Sequence, residues 1–156
     1  MASQNSGNQY LSIPQKNPYI PINFWLEVNG IVEGGFSEVS GLESEIEVEP
    51  YEEGGVNGYV HQFPTRVKYP TLVLSRGLTD DESLWIWYKK TTNGTVERKN
   101  GSIILLDWKH NPVMWWDFIN AYPVKWKGPD FNARNGTEVA IERFELVHEG
   151  INKKSG

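Results

Sequence analysis

The 156-residue chain contains no cysteine, which excludes a disulfide framework, a thiolate metal site and a cysteine nucleophile. It also has no run near the roughly 20 apolar residues that a membrane span needs, and no charged start followed by an apolar core. We therefore expect the chain to stay in the cytoplasm of the cell that makes it and not to insert into a membrane. With 38% hydrophobic and 13% aromatic residues, it is long and apolar enough for one globular domain.

Lysine and arginine are absent from residues 17–65, which hold nine acidic residues. From residue 66 onward, 14 basic residues face 11 acidic ones, so the net charge of −5 hides a two-sided distribution. A solvated acidic face is the simplest interpretation of such a block. No basic stripe with interleaved aromatic residues is present, so sequence-specific binding of nucleic acid is disfavoured.

Carboxylates occupy every second position in the stretch GLESEIEVEPYEEGG, residues 41–55. The four carboxylates are Glu43, Glu45, Glu47 and Glu49, and the positions between them include Leu42, Ile46 and Val48. This alternation predicts a strand with one acidic and one apolar face. A later strand that carries Arg66 and Lys68 is expected to pair with it, since facing opposite charges contribute about 0.2–1 kcal/mol per pair.

Turn signals divide the rest of the chain into short strands. The dipeptide Asn-Gly, the strongest short hairpin signal, begins at residues 29, 57, 93, 100 and 135. We predict a mainly β fold with a hairpin around Asn100-Gly101 and a strand at residues 23–28. In that strand Phe24, Leu26 and Val28 alternate with Asn23, Trp25 and Glu27. Residues 112–128 fit either a short helix or a strand. The final strand changes parity near Arg143, which indicates a bulge.

One helix is predicted in LTDDESLWIWYKKT, residues 78–91. Thr79 is the expected cap, Glu82 its capping-box partner, and acidic residues fill the first turn. Lys89 and Lys90 in the last turn suit the helix dipole. The predicted buried face consists of Leu84, Trp87 and Tyr88.

No arrangement of residues typical of catalysis is found. The three histidines, His61, His110 and His148, lack the spacing of metal ligands, and no serine lies in a nucleophile elbow. We therefore predict no catalytic, cofactor-binding or metal-binding residue, and no enzyme. The tryptophans between Trp108 and Trp126 fit either a core or subunit interface, which we favour, or a sugar-stacking platform.

Several phrases in fixed order resemble the inner-tube proteins of contractile phage tails and of phage-tail-like extracellular contractile injection systems. They are FSEVSGLESEIE within residues 35–55, LSRG at 74–77 leading into the helix, NAYPVKW at 120–126, and IERFELVHEG at 141–150. The resemblance covers residues 23–151. It leaves residues 1–20, rich in Ser, Asn, Gln and Pro, as an N-terminal extended arm before a tail-tube domain at residues 21–156.

The resemblance implies a small tail-tube-type β-barrel or sandwich with one helix, similar to haemolysin-coregulated protein, that joins a larger barrel in a hexameric ring. Such rings stack into a hollow tube for payload, which contraction of a sheath drives through a target membrane. The implied partners are further copies of the chain, sheath, baseplate and spike hub, tape-measure and terminator proteins. A baseplate-proximal tube initiator has the same features, and a carbohydrate-binding or adhesive module is the alternative from another class.

Within this family, the acidic strand has two expected uses. Glu43, Glu45, Glu47 and Glu49 line the lumen or lie between rings, while the apolar residues of the strand pack on their own domain. The loop that follows is expected to reach a neighbouring ring. It consists of Pro50, Tyr51, Glu52, Glu53, Gly54 and Gly55.

Overall fold

The computed structural model describes residues 23–51, 58, 60–131, 134 and 140–155. The predicted N-terminal arm lies outside these residues, as do Glu52, Glu53, Gly54 and Gly55 of the predicted stacking loop. Within the described part, the chain forms ten strands and one helix. The strands are β1 (Asn23–Val28), β2 (Ile31–Phe36), β3 (Glu38–Ser40), β4 (Glu45–Tyr51), β5 (His61–Lys68), β6 (Leu72–Gly77), β7 (Lys99–Leu106), β8 (Pro112–Lys127), β9 (Ile141–Val147) and β10 (Gly150–Ser155), and the helix is α1 (Ser83–Thr92).

Eight strands form one antiparallel sheet in the order β2-β1-β7-β8-β9-β6-β3, with β10 also paired to β8. The 16-residue strand β8 connects its two parts. Its first half lies between β7 and β10, and its second half pairs with β9. Asn120, at the junction, has a φ of +52°, a left-handed conformation that Asn tolerates better than most residues. The predicted mainly β fold with one helix is confirmed, but the sheet is not closed into a barrel.

The core lies between the inner faces of the two parts of this sheet and α1. Leu26 and Val28 of β1 are buried, as the alternation predicted. Helix α1 packs against β8, where the rings of Trp85 and Trp126 meet edge-on with centroids 4.6 Å apart. The other large buried apolar side chains are Phe36, Leu72, Leu74, Leu84, Trp87, Ile103, Leu105, Leu106, Phe118, Phe144 and Leu146.

The predicted helix is confirmed, but its predicted start is wrong. The helix begins at Ser83, and its first turn contains no acidic residue. The cap residue Glu82 makes no side-chain capping bond. Instead, Asp81 Oδ1 accepts hydrogen bonds from the backbone N (3.0 Å) and Oγ (2.5 Å) of Ser83. Thr79 Oγ1 accepts a bond from Asp81 N at 3.3 Å, so this hydroxyl acts in a turn that ends before the helix.

The predicted hairpin at Asn100-Gly101 is wrong, because both residues lie inside β7. Glycine is needed there for a different reason. A Cβ at Gly101 would lie 2.3 Å from the carbonyl oxygen of Glu27 and 2.5 Å from Cζ of Phe118. The close approach of β1 and β8 therefore selects glycine at this position. By contrast, Asn29 (φ +51°) and Gly30 (φ +81°) form the predicted turn.

Strands β8 and β9 differ from two other sequence predictions. The ambiguous segment 112–128 is the long strand β8, not a helix. Strand β9 shows no parity change at Arg143: Glu142, Phe144 and Leu146 are all buried on one face. The hydrophobic pattern misled the prediction because Glu142 is a buried charged residue.

Candidate assembly surfaces

The second half of β8 and all of β3 form the two open edges of a four-stranded sheet. In the described residues, Tyr122–Lys127 pairs only with β9, and β3 pairs only with β6. The order β8-β9-β6-β3 is antiparallel throughout. Because the four strands alternate in direction, the two edge strands β3 and β8 run antiparallel to each other. Unpaired edges of this kind are templates for pairing between chains.

One face of this four-stranded sheet packs on the core, and the other is polar. Residues paired across the strands share a face, so Val39, Leu74, Phe144 and Trp126 form an inward row. The neighbouring outward row is Glu38, Ser75, Arg143 and Lys127. Together with the next outward row, it forms an open groove of about 300 Å³. Its lining consists of Glu38, Ser40, Val73, Ser75, Lys125, Lys127, Arg143 and Glu145.

Most cations on this polar face have a neighbouring partner. Lys125 Nζ lies 3.7 Å from Oε2 of Glu145, and Lys127 Nζ lies 3.4 Å from Oδ2 of Asp130, just beyond β8. Arg143 Nε donates to Oγ of the buried Ser75 at 3.2 Å. The face is therefore a network of opposite charges and not a wall of one sign.

Strands β4 and β5 form a separate two-stranded ribbon. The side chains of Ile46, Val48 and Val67 lie on its apolar face and are 56%, 56% and 45% exposed. The expectation that the apolar residues of the acidic strand pack on their own domain holds for Leu42, which contacts the core. It is wrong for Ile46 and Val48, since β4 pairs with β5 outside the main sheet. An isolated two-stranded hairpin is only marginally stable in water, and exposed apolar patches of this kind mark interaction sites.

The opposite face of the ribbon confirms the predicted charge pairing. Glu47 accepts hydrogen bonds from Arg66 Nε and Lys68 Nζ. The hydrogen bond from Arg66, and to a smaller extent that from Lys68, lowers the pKa of the Glu47 carboxyl group below its usual range. A bulge places Thr65 and Arg66 opposite Glu47, and Thr65 Oγ1 donates to the Glu47 carbonyl at 3.0 Å. The other members of the row, Glu43, Glu45 and Glu49, are exposed, so the four carboxylates are not equivalent.

Towards the end of the ribbon, the two strands meet through aromatic residues. Tyr51 of β4 contacts Phe63 of β5 edge-on, with ring centroids 5.6 Å apart. Both rings are about half exposed. Pro50, paired with Gln62, is also exposed. Of the predicted stacking loop, the described residues Pro50 and Tyr51 thus belong to a strand.

The ribbon joins the main sheet at a tightly fitted base. A Cβ at Gly41, whose φ is +86°, would lie 2.0 Å from the carbonyl oxygen of Thr71. On the return strand, the ring of Tyr69 lies 5.3 Å from that of the buried His148. These contacts fix where the ribbon leaves the body.

The described residues contain no group of three or more His, Asp or Glu side chains that could hold a metal ion. Neither does any helix there have the length and apolar character to cross a membrane.

Trp108 is 70% exposed, whereas Trp116 and Trp126 are partly buried against the core. Trp115 is likewise half-buried.

Residues 21–152 match the family model described as T4-like virus tail tube protein gp19. No curated protein sequence gives a significant match. A chain in the cryo-EM structure of the anti-feeding prophage (AFP) baseplate is 26% identical, with a TM-score of 0.75 over 89% of this chain and 97% of that one.

Two further solved structures have the same fold. A chain in the extended sheath-tube complex of PVC, an extracellular contractile injection system, is 22% identical, with a TM-score of 0.79 over 91% of this chain and 95% of that one. Hcp1 from Flavobacterium johnsoniae is 20% identical, with a TM-score of 0.52 over 86% of this chain and 96% of that one. The match spans nearly the whole of each of these chains.

Proposed function

This chain belongs to the family of T4-like virus tail tube proteins and is a structural tube subunit, and from this we propose that it forms the hollow inner tube of a contractile injection particle or contractile phage tail. Six copies form a ring, and rings stack into the tube. The observation that carries this proposal is the pair of open edges on the antiparallel four-stranded sheet. The subunit acts by assembly and not as an enzyme.

Ring closure uses the two open edges. The β3 edge of one subunit pairs with residues 122–127 of the next, so that each copy contributes four antiparallel strands to a shared barrel. This pairing is head-to-tail, and head-to-tail contacts close into rings when the rotation between copies allows it. Barrel closure also removes edges that would otherwise be prone to aggregation.

In this arrangement, the polar outward face lines the bore and α1 lies outside. The inner face of the four strands is covered by the core and by α1, which leaves the face with Arg143 and Lys127 as the one in contact with water. The acidic strand β4 then does not line the bore, which was one of its two expected uses. Glu43, Glu45, Glu47 and Glu49 then belong to the contact between subunits of adjacent rings.

The ribbon of β4 and β5 supplies that contact. Its face with Ile46 and Val48 docks on a neighbouring copy, which buries apolar surface that the free subunit exposes. The loop Glu52, Glu53, Gly54 and Gly55 extends this contact along the tube. The charged face with Glu47 and Arg66 favours one docking orientation, as complementary charges do at interfaces.

Similar chains occur in solved structures of larger particles, and we infer the remaining partners from these particles. The structures are a sheath-tube complex, a tube-terminating cap and a sheath/tube terminator. We extend them to this chain, with sheath outside, terminator at one end, baseplate, spike hub and tape-measure protein at the other, and payload in the lumen. Assembly takes place in the cytoplasm of the producing bacterium. The likeness to a chain of the AFP baseplate structure supports a second candidate, a tube initiator next to the baseplate.

Cross-linking tests the proposed ring closure. Because the chain has no cysteine, the variant Ser40→Cys/Lys125→Cys places one thiol near each open edge. Oxidation of assembled material should give a ladder of covalent oligomers that ends at a closed hexamer. Either single variant should give no species above a dimer. Monomers alone from the double variant, in samples where rings are visible, would contradict the proposed edges.

A further inference from the structure

The polar face of the four-stranded sheet has nearly balanced charge. Its groove is lined by three cations, Lys125, Lys127 and Arg143, and by two carboxylates, Glu38 and Glu145. Lys127 is next to a third carboxylate, that of Asp130. Including Asp130, three positive and three negative groups cancel on each subunit.

Two groups of opposite sign remain available on this face. Lys125 and Lys127 have carboxylate neighbours, but no described residue forms an ion pair with Arg143 or with Glu38. Both of these side chains are exposed and line the same groove. Both are paired with Ser75, from opposite sides, so their backbones are two strand spacings, about 10 Å, apart.

The guanidinium of Arg143 is held in place. Its Nε donates to Oγ of Ser75, which is 3% exposed, at 3.2 Å. A guanidinium carries five N–H donors, so four remain on its two outer nitrogens. This fork suits a carboxylate of a passing molecule, while Glu38 suits an ammonium group.

We propose that the bore wall is charge-compensated, with Arg143 and Glu38 as its two contact groups on each subunit, so that the tube admits polypeptide cargo of either net charge. This inference rests on the proposed function, in which the polar face lines the bore. A wall of one sign would concentrate or exclude charged cargo. Here the opposite charges are one or two strands apart, comparable with the screening length of about 8 Å at physiological salt, so little net field extends into the bore.

The test uses assembled tubes and two peptides of equal length, one rich in glutamate and one rich in lysine, whose retention is measured by co-sedimentation at low salt. For tubes of the unmodified chain, we expect the retained fractions of the two peptides to differ by less than about tenfold. Arg143→Gln should shift retention towards the basic peptide, and Glu38→Gln should shift it towards the acidic one. Lys153→Gln is the control, because it removes a positive charge from β10, outside this face.

A second measurement separates failure of this inference from failure of the proposed function. The thiol of Ser40→Cys should react in tubes with a small maleimide but not with a maleimide on a protein wider than the bore. If tubes never form, even with a preassembled baseplate as a template, both proposals are overturned. If the wide reagent labels the tubes, the polar face is not the bore wall and this inference is overturned while the tube remains. A ratio above tenfold with shielded thiols, or variants that fail to shift it in opposite directions, would overturn the charge-compensated wall alone.

Discussion

The Nε atom of Arg76 donates a hydrogen bond of 2.7 Å to Oε1 of Glu142, and both side chains are more than nine-tenths buried. The two residues are directly paired between β6 and β9, on the face opposite the polar groove. Arg76 also lies over the rings of Phe36 and Phe144. This pair therefore joins the two central strands of the sheet that we assign to the ring.

Arg76→Met is expected to lower the free energy of unfolding by about 3–5 kcal/mol, because it leaves the Glu142 carboxylate buried without its cation. Chemical denaturation gives this value directly. The double variant Arg76→Met/Glu142→Leu should recover part of the loss. Lys90→Met, which breaks the exposed pair with Glu97, is the control and should cost about 0–1 kcal/mol. Equal losses from the two single variants would contradict this account of the buried pair.

Asp81→Ala is expected to reduce stability by about 0.5–2 kcal/mol, the size of a capping effect, because the hydrogen bonds from Ser83 at the start of α1 are lost. Hydrogen bonds from the side chain and backbone of Ser83 hold the pKa of Asp81 below its usual value. The stabilisation is therefore complete above the ordinary pKa and is lost as pH falls through the lower folded-state pKa. Thermal unfolding at neutral and acidic pH should show a smaller difference between wild type and variant in acid. Asp80→Ala is the control, and an equal effect from it would rule out a specific role for the Asp81–Ser83 hydrogen bonds.

His148 is expected to make stability fall in weak acid. Burial lowers its pKa from the ordinary value of 6.5, while its Nδ1 lies 3.1 Å from the Gly150 carbonyl. Between the folded-state pKa and 6.5, the unfolded chain binds more protons, so stability decreases as pH falls below 6.5. Unfolding free energies measured across this range should lose part of their slope in His148→Gln but not in His110→Asn. An unchanged slope in His148→Gln would contradict the prediction.

Ile46→Ser/Val48→Ser is expected to abolish tube growth without unfolding the subunit. These side chains are exposed on the ribbon, so their replacement removes apolar surface from the proposed contact while sparing the core. Tube length in electron micrographs and the melting temperature should be measured together. Ile86→Ser/Val96→Ser replaces two similarly exposed residues away from the ribbon and should leave tube length unchanged. Normal tubes from the ribbon variant would reject the docking role.

Glu52→Lys/Glu53→Lys should yield rings without long tubes if this loop reaches the neighbouring ring. Residues 17–65 carry no Lys or Arg, and the substitution replaces two of their negative charges with positive ones. An attractive contact between Glu52 or Glu53 and basic groups of the neighbouring ring would then become repulsive. Negative-stain images give the ratio of rings to tubes. Asp80→Lys/Glu82→Lys, ahead of α1, is a charge-matched control. Unchanged tube length in the loop variant would show that the loop does not stack rings.

The hydrophobic pattern of a segment predicted its structure where every buried residue of that segment is apolar. The burial of Leu26 and Val28 was visible in the alternation of β1, and the helix face in the spacing of Leu84 and Trp87. The pattern failed in β9 because the charged residue Glu142 occupies a buried position. Its burial depends on the ion pair with Arg76, which lies 66 residues away in the sequence and so leaves no local signal. Gly101 resembled a turn residue, although close strand contacts select it.

The surfaces depended on pairings that no local pattern specifies. Alternation in β4 predicted an acidic and an apolar face, but it is the same for a strand on the core and for a strand in a projecting ribbon. The polar groove likewise unites Glu38 with Arg143, which are more than 100 positions apart, through Ser75 between them. Only the register of four strands brings these residues onto one face.

Assembly of this chain into a hollow tube of six-membered rings is the proposal on which the others depend. The most direct measurement is negative-stain electron microscopy of the purified chain over a range of concentrations, with mass determined by light scattering. We expect rings or stacked tubes with an open channel and ring masses of six subunits. A compact monomer at every concentration, even after addition of a preassembled baseplate as a template, would contradict it.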